Sequence, residues 1–181
     1  MRILREQSIG LVIDIQEKLL PHIAGHEEVL HNTGILLEGL KVLEVPVLIT
    51  EQYRKGLGPT VEKVQVALKS FEPMEKMTFS CCDDEDFVAA LEKHKGKKNV
   101  IICGIETHVC VLQTCIDLLE RAYQPVVVAD CVSSRKIQDK EIAIERMRSE
   151  GAIITSYESV LFELARVSGT ETFKAISKLV K

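Results

Sequence analysis

The sequence predicts a three-layer α/β/α, Rossmann-like fold around a mainly parallel six-stranded sheet. Short apolar runs alternate along the chain with longer segments whose apolar residues recur every three or four positions, and this is the pattern of strands alternating with helices. The runs are apolar almost throughout, which is typical of parallel strands buried on both faces. We therefore expect one sheet covered by helices on both sides.

Length and composition predict a single cytoplasmic domain over residues 1–181. The chain has 46% hydrophobic residues, 28% charged residues and a net charge of −4, so nothing indicates nucleic acid as a partner. No apolar run reaches the roughly 20 residues that span a bilayer, and no secretory signal opens the sequence. We expect no membrane association, and we expect the six cysteines to stay reduced.

Two predicted strands in the first third of the chain are followed by polar side chains. The strands cover residues 8–15 and 46–50, and helical spacing predicts a helix over residues 27–43 between them. The polar side chains at and after the strand ends are Asp14, Gln16, Glu51, Gln52 and Tyr53. Parallel strands end at the same edge of a sheet, where ligands bind in folds of this class. These residues are therefore candidates for a site.

The next segment is predicted to be mostly irregular. Residues 54–60 are rich in glycine and proline and should form a loop, but they lack the spacing of a phosphate-binding loop. A short helix is expected over residues 61–68, and an irregular stretch over 71–80 carries Lys76. Acidic residues then open a predicted helix over residues 83–93, as the helix dipole favours.

The segment 97–115 is the one on which the functional interpretation depends. It contains a buried strand over residues 100–103, then Gly104, and then a helix that begins near His108. Cys110 would lie in the first turn of this helix, just beyond the carboxyl end of a central strand. The positive end of the helix dipole would favour its thiolate form.

The last third of the chain repeats the alternation. We expect strands over residues 125–131 and 152–155, with a helix over residues 140–149 between them. Residues 157–181 have a helical pattern that is interrupted around residues 168–169.

Each candidate site residue also has a purely structural interpretation. Asp14 could simply cap a turn, and Lys76 could extend its stem over apolar surface while its ammonium stays in water. Cys110 could be an inert core residue, since free cysteine is among the most buried residue types.

Taken together, these residues resemble the isochorismatase-like, or cysteine hydrolase, superfamily. The pieces that carry the resemblance are D-I-Q at 14–16, T-E-Q-Y at 50–53, G-L-G-P-T at 56–60, E-K at 75–76 with F-S at 79–80, and G-I-E-T-H-V-C at 104–110. The similarity spans residues 11–164 and is greatest to the isochorismatase domain-containing proteins, whose substrate is generally unassigned.

The resemblance implies a catalytic triad of Asp14, Lys76 and Cys110. The Cys110 thiolate would attack the carbonyl of a small amide or a related C–N bond, and water would release the acid from a thioester. Asp14 would carry the thiol proton to the leaving group, and Lys76 would stabilise both anions. No cofactor is implied.

The resemblance also implies an oxyanion site and a pocket. A cis peptide between Ile105 and Glu106 would turn the N–H groups of Glu106 and Cys110 toward the developing oxyanion. The residues expected to shape the pocket are Gln16, Glu51, Gln52, Tyr53 and Thr107. For Thr107 a helix-capping role is favoured over a catalytic one, and His108 is expected at the rim of the pocket.

Two departures from family patterns narrow the chemistry. Nicotinamidases carry an Asp-x-His motif and a further histidine for a metal, but this chain has Glu51-Gln52-Tyr53 at that point and no recognisable ligand pair among its five histidines. We therefore predict no metal, which weakens nicotinamide as a substrate. Isochorismatases that cleave the vinyl ether lack the nucleophilic cysteine, so Cys110 argues against that reaction.

Two alternatives to a hydrolase remain open at this point. The chain could be a catalytically quiet binding or scaffold protein that keeps the fold, or a redox-responsive thiol protein that uses Cys110 and the nearby Cys115. A small-molecule substrate and assembly into a homodimer or larger homo-oligomer are expected by resemblance. The apolar C-terminal helix could serve such an interface, or it could pack on its own sheet.

Overall fold

The six strands form a single sheet in which every neighbouring pair is parallel. The computed structural model describes residues 2–181, and the strand order in the sheet is β3-β2-β1-β4-β5-β6. The strands are β1 Ser8–Ile13, β2 Val47–Gln52, β3 Met74–Lys76, β4 Asn99–Ile105, β5 Gln124–Ser133 and β6 Ile153–Thr155. The fold class is therefore confirmed, and the sheet is all-parallel rather than mainly parallel.

The helices connect these strands across both faces of the sheet. The helices are α1 His26–Val42, α2 Arg54–Leu57, α3 Glu62–Ala67, α4 Glu85–Glu92, α5 Leu112–Glu120, α6 Ile137–Glu150, α7 Tyr157–Ala165 and α8 Glu171–Leu179. A π-helical turn, Thr107–Val111, leads into α5. None of the helices in the described part of the chain is both long and apolar enough to cross a membrane.

The central strands divide the core into two apolar layers. Every residue of β1 and of β4 is buried. Successive side chains of a strand point to opposite faces, so Val12 packs in one cluster whereas Leu11 and Ile13 pack in the other. This double burial explains why these strands are apolar throughout, as the sequence analysis inferred.

The strand order creates a crevice at the centre of the sheet. The chain runs outward from β1 through β2 to β3, and then crosses to the other side of β1 to form β4, β5 and β6. The connections that follow β1 and β4 therefore leave in opposite directions. In open α/β sheets the crevice at such a switch point is where ligands bind, and Asp14 follows β1 while the π-helical turn follows β4.

Three elements differ from the sequence expectations. Residues 71–80 were expected to be irregular, but they contain β3, whose pairing with Thr50–Gln52 of β2 makes a strand from residues without an apolar run. The expected loop over residues 54–60 includes the single helical turn α2. The first strand ends at Ile13 because Asp14 adopts a left-handed conformation with φ of 53°, which Asp tolerates better than most residues.

The C-terminal helix α8 packs inside its own domain, against α1 and α7. Ile176 is fully buried in one apolar layer, and Leu179 and Val180 pack against the same layer. The rings of Phe162 and Phe173 lie 5.9 Å apart between α7 and α8. Of the two roles left open for this helix, the structure supports internal packing.

Gly104 lets β4 approach the end of β1 more closely than any side chain would allow. Its φ is +135°, and a Cβ atom at this position would lie 2.2 Å from the carbonyl oxygen of Ile13. Because the obstacle is backbone, it cannot move aside without shifting β1.

We predict that Gly104→Ala lowers the free energy of unfolding by about 3 kcal/mol or more, since backbone strain and overpacking add. The matched control is Gly96→Ala, because Gly96 also has a positive φ, of +85°, but no atom within 4 Å of a built Cβ. This control should cost only about 1 kcal/mol. Urea titration of the three proteins measures both values, and equal losses in the two variants would contradict the close-approach argument.

Candidate active site

Asp14 is fully buried and is held at both its main chain and its side chain by Thr50. The Asp14 amide donates to the Thr50 carbonyl oxygen at 3.2 Å. The Thr50 hydroxyl donates to Oδ1 of Asp14 at 2.8 Å. The register that pairs Ile13 with Thr50 brings these two residues together.

Lys76 is a buried ammonium whose principal partner is the Asp14 carboxylate. Its side chain is only 1% exposed, and its Nζ donates to Oδ2 of Asp14 at 2.7 Å. The same Nζ lies 2.8 Å from Oε1 of Gln52 and within 3.2 Å of the carbonyl oxygens of Thr78 and Phe79. Of the two roles weighed for Lys76, the structure therefore shows the charge-paired one.

Burial and the neighbouring charges have opposite effects on the pKa of Lys76. Burial disfavours the ammonium, but the negative charge of Asp14, helped by the Cys81 and Cys110 thiols, outweighs burial and raises the pKa above its ordinary value. Lys76 is therefore a permanent cation at neutral pH.

Cys110 lies in the π-helical turn, is 6% exposed, and shares this charged cluster. Burial raises the pKa of its thiol, the charge of Asp14 and a hydrogen bond to Asp14 raise it further, and Lys76 lowers it. The raised pKa of Cys110 contradicts the expectation that the helix dipole would favour a thiolate in the absence of substrate. The reason is that burial and the neighbouring carboxylate destabilise the thiolate more than the helix terminus and Lys76 stabilise it.

The connection between β4 and Cys110 has an unusual backbone. The peptide bond between Ile105 and Glu106 is cis. Oε2 of Glu106 accepts hydrogen bonds from the backbone N–H of Arg135 at 3.1 Å and from its Nε at 3.0 Å. This ion pair ties the turn after β4 to the loop after β5.

Gln16 and Glu51, both predicted to shape the pocket, are buried supports of the loop that follows β2. Gln16 donates through Nε2 to the carbonyl oxygens of Gln52 and Gly58, and its Oε1 accepts from the amide of Gln52. Oε1 of Glu51 accepts from both the amide and the hydroxyl of Thr60. Their polar atoms are committed to this loop, so we assign them a role behind the pocket.

The other predicted pocket residues have mixed surroundings. Gln52 joins Lys76 to the carbonyl oxygen of Met77, and Tyr53 is 44% exposed. The capping role inferred for Thr107 is wrong: Glu106 is the N-cap residue, and the fully buried Thr107 hydroxyl has no hydrogen-bond partner among the described residues. His108 is partly exposed, and its Nδ1 lies 2.9 Å from the Ser134 hydroxyl.

Within residues 2–181, no group of three or more metal-ligating side chains is clustered. All six cysteines are free and buried. Burial raises the pKa of Cys115 to about 12, so this thiol lacks the accessible thiolate character that a redox partner of Cys110 would need.

Sequence reasoning missed the contributions of Thr50 and Cys81. Cys81 is fully buried, and its Sγ lies 3.8 Å from the Thr50 hydroxyl oxygen. Thr50 lies at the carboxyl end of the second apolar run and in the T-E-Q-Y segment that carries the resemblance, but neither signal assigned it a contact with Asp14. No sequence signal pointed to Cys81.

The fold gives the structural class of this chain, and comparison with known proteins gives its family. The strand order and the crevice between β1 and β4 define an α/β protein of Rossmann-like topology. The profile of the Isochorismatase domain matches residues 8–159, and the chain belongs to the isochorismatase family.

Relatives match the chain over nearly its whole length. The Secreted isochorismatase effector Isc1 of Phytophthora sojae is 40% identical over 188 residues, which cover 99% of this chain and 87% of that protein. Isochorismatase domain-containing protein 2A of Mus musculus is 39% identical and covers 99% of this chain and 85% of its own length.

Solved structures share the fold closely. The MAR1 ribonuclease from Caenorhabditis elegans superposes with a TM-score of 0.93 at 39% identity, covering 99% of this chain and 92% of that one. YcaC from Pseudomonas aeruginosa, solved with hexane-2,5-diol and covalent acrylamide, has a TM-score of 0.91 at 27% identity, with 98% and 91% coverage.

We predict that breaking the buried ion pair costs far more stability than breaking an exposed one of the same length. Asp14→Asn and Lys76→Met should each lower the free energy of unfolding by about 3–5 kcal/mol, because each leaves a partner buried and uncompensated. The double variant should lose less than the sum of the two. Lys174 and Glu171 are also 2.7 Å apart but exposed, so Lys174→Met should cost less than about 1 kcal/mol.

The pH dependence provides an internal control. Because the folded-state pKa of Lys76 is raised, the stabilisation is fully present below the unfolded-state value of about 10.4 and is lost as the pH rises through the folded-state value. Urea titrations at neutral and alkaline pH measure this loss. Additive single variants, or a Lys76→Met cost that does not shrink at alkaline pH, would show that the pair does not act as a unit.

Proposed function

We propose that this protein is a hydrolase that uses Cys110 as a nucleophile against a small amide or a related C–N bond. The observation that carries the proposal is the buried Asp14–Lys76 ion pair, at 2.7 Å, whose charges both act on the Cys110 thiol. A buried charge pair is costly to maintain, and strongly perturbed groups that converge in a crevice are typical of catalytic sites.

In this mechanism the thiol stays protonated until a substrate arrives. Asp14 takes the proton from Cys110 as the sulfur attacks the carbonyl carbon, and the C–S bond forms. The proton then passes to the leaving nitrogen, the C–N bond breaks, and a thioester remains on Cys110. A water molecule, deprotonated by Asp14, attacks the thioester and releases the carboxylic acid and the thiol.

Lys76 acts by charge rather than by binding the substrate. Its Nζ already has acceptors on Asp14, Gln52, Thr78 and Phe79, which exceed the three protons that an ammonium can donate. We assign stabilisation of the developing oxyanion to the N–H groups of Glu106 and Cys110, and the walls of the pocket to Gln52, Tyr53 and Thr107.

The comparisons support nucleophilic chemistry but leave the substrate open. The description of the Pseudomonas aeruginosa YcaC structure names covalent acrylamide, which indicates a reactive nucleophile in that protein. The ribonuclease name of the Caenorhabditis elegans protein does not fit this chain well, because its net charge of −4 and 4% aromatic content are unlike those of a nucleic-acid-binding protein. A small molecule is the proposed substrate.

Location and assembly belong to the same proposal. Six free, buried cysteines fit a reducing cytoplasm, although the relative Isc1 is described as secreted. Large apolar side chains that are more than half exposed support self-association into a homo-oligomer; they are Val66, Met77, Phe79, Ile142 and Val167.

We predict that a panel of small amides and ureas contains compounds whose hydrolysis requires Cys110. Cys110→Ala should reduce turnover by at least about 10³-fold, since it removes the covalent route. The matched control is Cys115→Ala, because Cys115 is a buried cysteine near Cys110 in sequence and its pKa is raised by burial and Glu150, with no contribution from Asp14 or Lys76. Product release measured by coupled detection of ammonia or amine tests both variants.

Two results would count against the hydrolase. Turnover that survives in Cys110→Ala would mean that another group performs the reaction. No turnover on any compound, together with a Cys110 that resists iodoacetamide even at alkaline pH, would favour the scaffold alternative.

A further inference from the structure

We infer that Thr50, backed by the Cys81 thiol, is a positioning residue that holds Asp14 in its proton-accepting form. This inference rests on the proposed function, because it assigns Asp14 the role of base. It adds a residue from β2 and one from the segment after β3 that neither sequence nor resemblance assigned to the site.

The direction of the hydrogen bonds follows from counting protons. The Thr50 hydroxyl has a single proton, and the 2.8 Å contact with Oδ1 of Asp14 uses it, because a carboxylate can only accept. The Thr50 oxygen is then available as an acceptor, and the Cys81 Sγ at 3.8 Å must be the donor. The chain therefore runs from the Cys81 S–H to the Thr50 O–H to Asp14.

The protonation state of Cys81 allows this direction. Burial and the charge of Asp14 raise the pKa of Cys81 to about 12, although Lys76 and the hydrogen bonds with Thr114 and Thr50 act in the opposite sense. A thiol with that pKa keeps its proton throughout the neutral range, so it remains a donor.

The two carboxylate oxygens of Asp14 accept hydrogen bonds from different donors. Oδ1 receives the Thr50 hydroxyl and Oδ2 receives the Lys76 ammonium. Both donors stabilise the carboxylate over the carboxylic acid, and a carboxylate oxygen retains a further lone pair for the Cys110 proton. The backbone bond from Asp14 to Thr50 fixes the main chain of the same residue, and rotation of the carboxylate would break its contacts with Thr50 and Lys76.

The test compares Thr50→Val, which replaces the hydroxyl with a methyl group of similar size, with Thr50→Ser, which keeps the hydroxyl. The first readout needs no catalysis: the ¹³C chemical shift of the Asp14 carboxyl carbon is measured by NMR in folded protein at neutral pH. Loss of the hydrogen bond from Thr50 to Oδ1 should move this signal in Thr50→Val. Thr50→Ser should keep the native chemical shift.

The second readout is acetyl transfer from p-nitrophenyl acetate to Cys110, followed by intact mass spectrometry with Cys110→Ala as the blank. In this step the sulfur attacks the ester carbonyl, the bond to the nitrophenol oxygen breaks, and Asp14 takes the thiol proton. Thr50→Val should react about tenfold more slowly at neutral pH, because the carboxylate that takes the thiol proton is no longer held in place by the Thr50 hydroxyl. Thr50→Ser should stay within about twofold of native.

The Cys81 pair provides a milder test in case Thr50→Val folds poorly. Cys81→Ala removes the donor to Thr50 and should slow acetylation of Cys110 by less than about threefold, because a thiol is a weak donor. Cys81→Ser restores a donor and should restore the native rate.

The outcomes separate this inference from the proposed function. An unmoved Asp14 carboxyl signal in Thr50→Val overturns the positioning role, whatever the kinetics show. Equal loss of rate in Thr50→Val and Thr50→Ser also overturns it and indicates a packing role. If native protein is not acetylated at Cys110, the proposed function fails, and the NMR measurement still decides the role of Thr50.

Discussion

The buried ion pair between Asp14 and Lys76 is the interaction on which the rest of the site depends. Both side chains are at most 1% exposed, so each would pay several kcal/mol of desolvation without the other. Further hydrogen bonds stabilise both charges. Thr50 donates to one oxygen of Asp14, and Gln52 and two backbone carbonyls accept from the Lys76 ammonium. Cys110 lies beside two charges that these hydrogen bonds hold in place, and electrostatic catalysis requires preorganisation of this kind.

Topology explains why residues so distant in sequence meet. Asp14 follows β1, Lys76 is the last residue of β3, and the π-helical turn follows β4. All parallel strands end at the same edge of the sheet. Gly104 lets β4 approach β1 closely. Gln16 and Glu51 hold the loop after β2 against the ends of β1 and β2. The apolar layers bury the strands, and the polar residues at the carboxyl ends of the strands form the candidate site.

The sequence predicted the fold better than the electrostatics. Continuous apolar runs identified five strands because double burial leaves a direct compositional signal, whereas β3 has no apolar run and exists through its pairing with β2. The resting state of Cys110 was predicted wrongly because helix position suggests a thiolate, and only the packed site shows the larger effects of burial and of Asp14. The role of Thr50 was missed, although the residue belongs to the T-E-Q-Y segment, because a hydroxyl at a strand end has no pattern that indicates its partner.

Asp14 and Lys76 have opposite effects on the pKa of the Cys110 thiol, and the rate of Cys110 alkylation by iodoacetamide, measured across pH, reports both effects. Native protein should react slowly at neutral pH and faster as the pH rises, because the pKa of the thiol is raised. Asp14→Asn removes the charge that raises this pKa and keeps Lys76, so it should react faster than native at neutral pH although it has lost the base. Identical pH profiles in the two proteins would contradict the account.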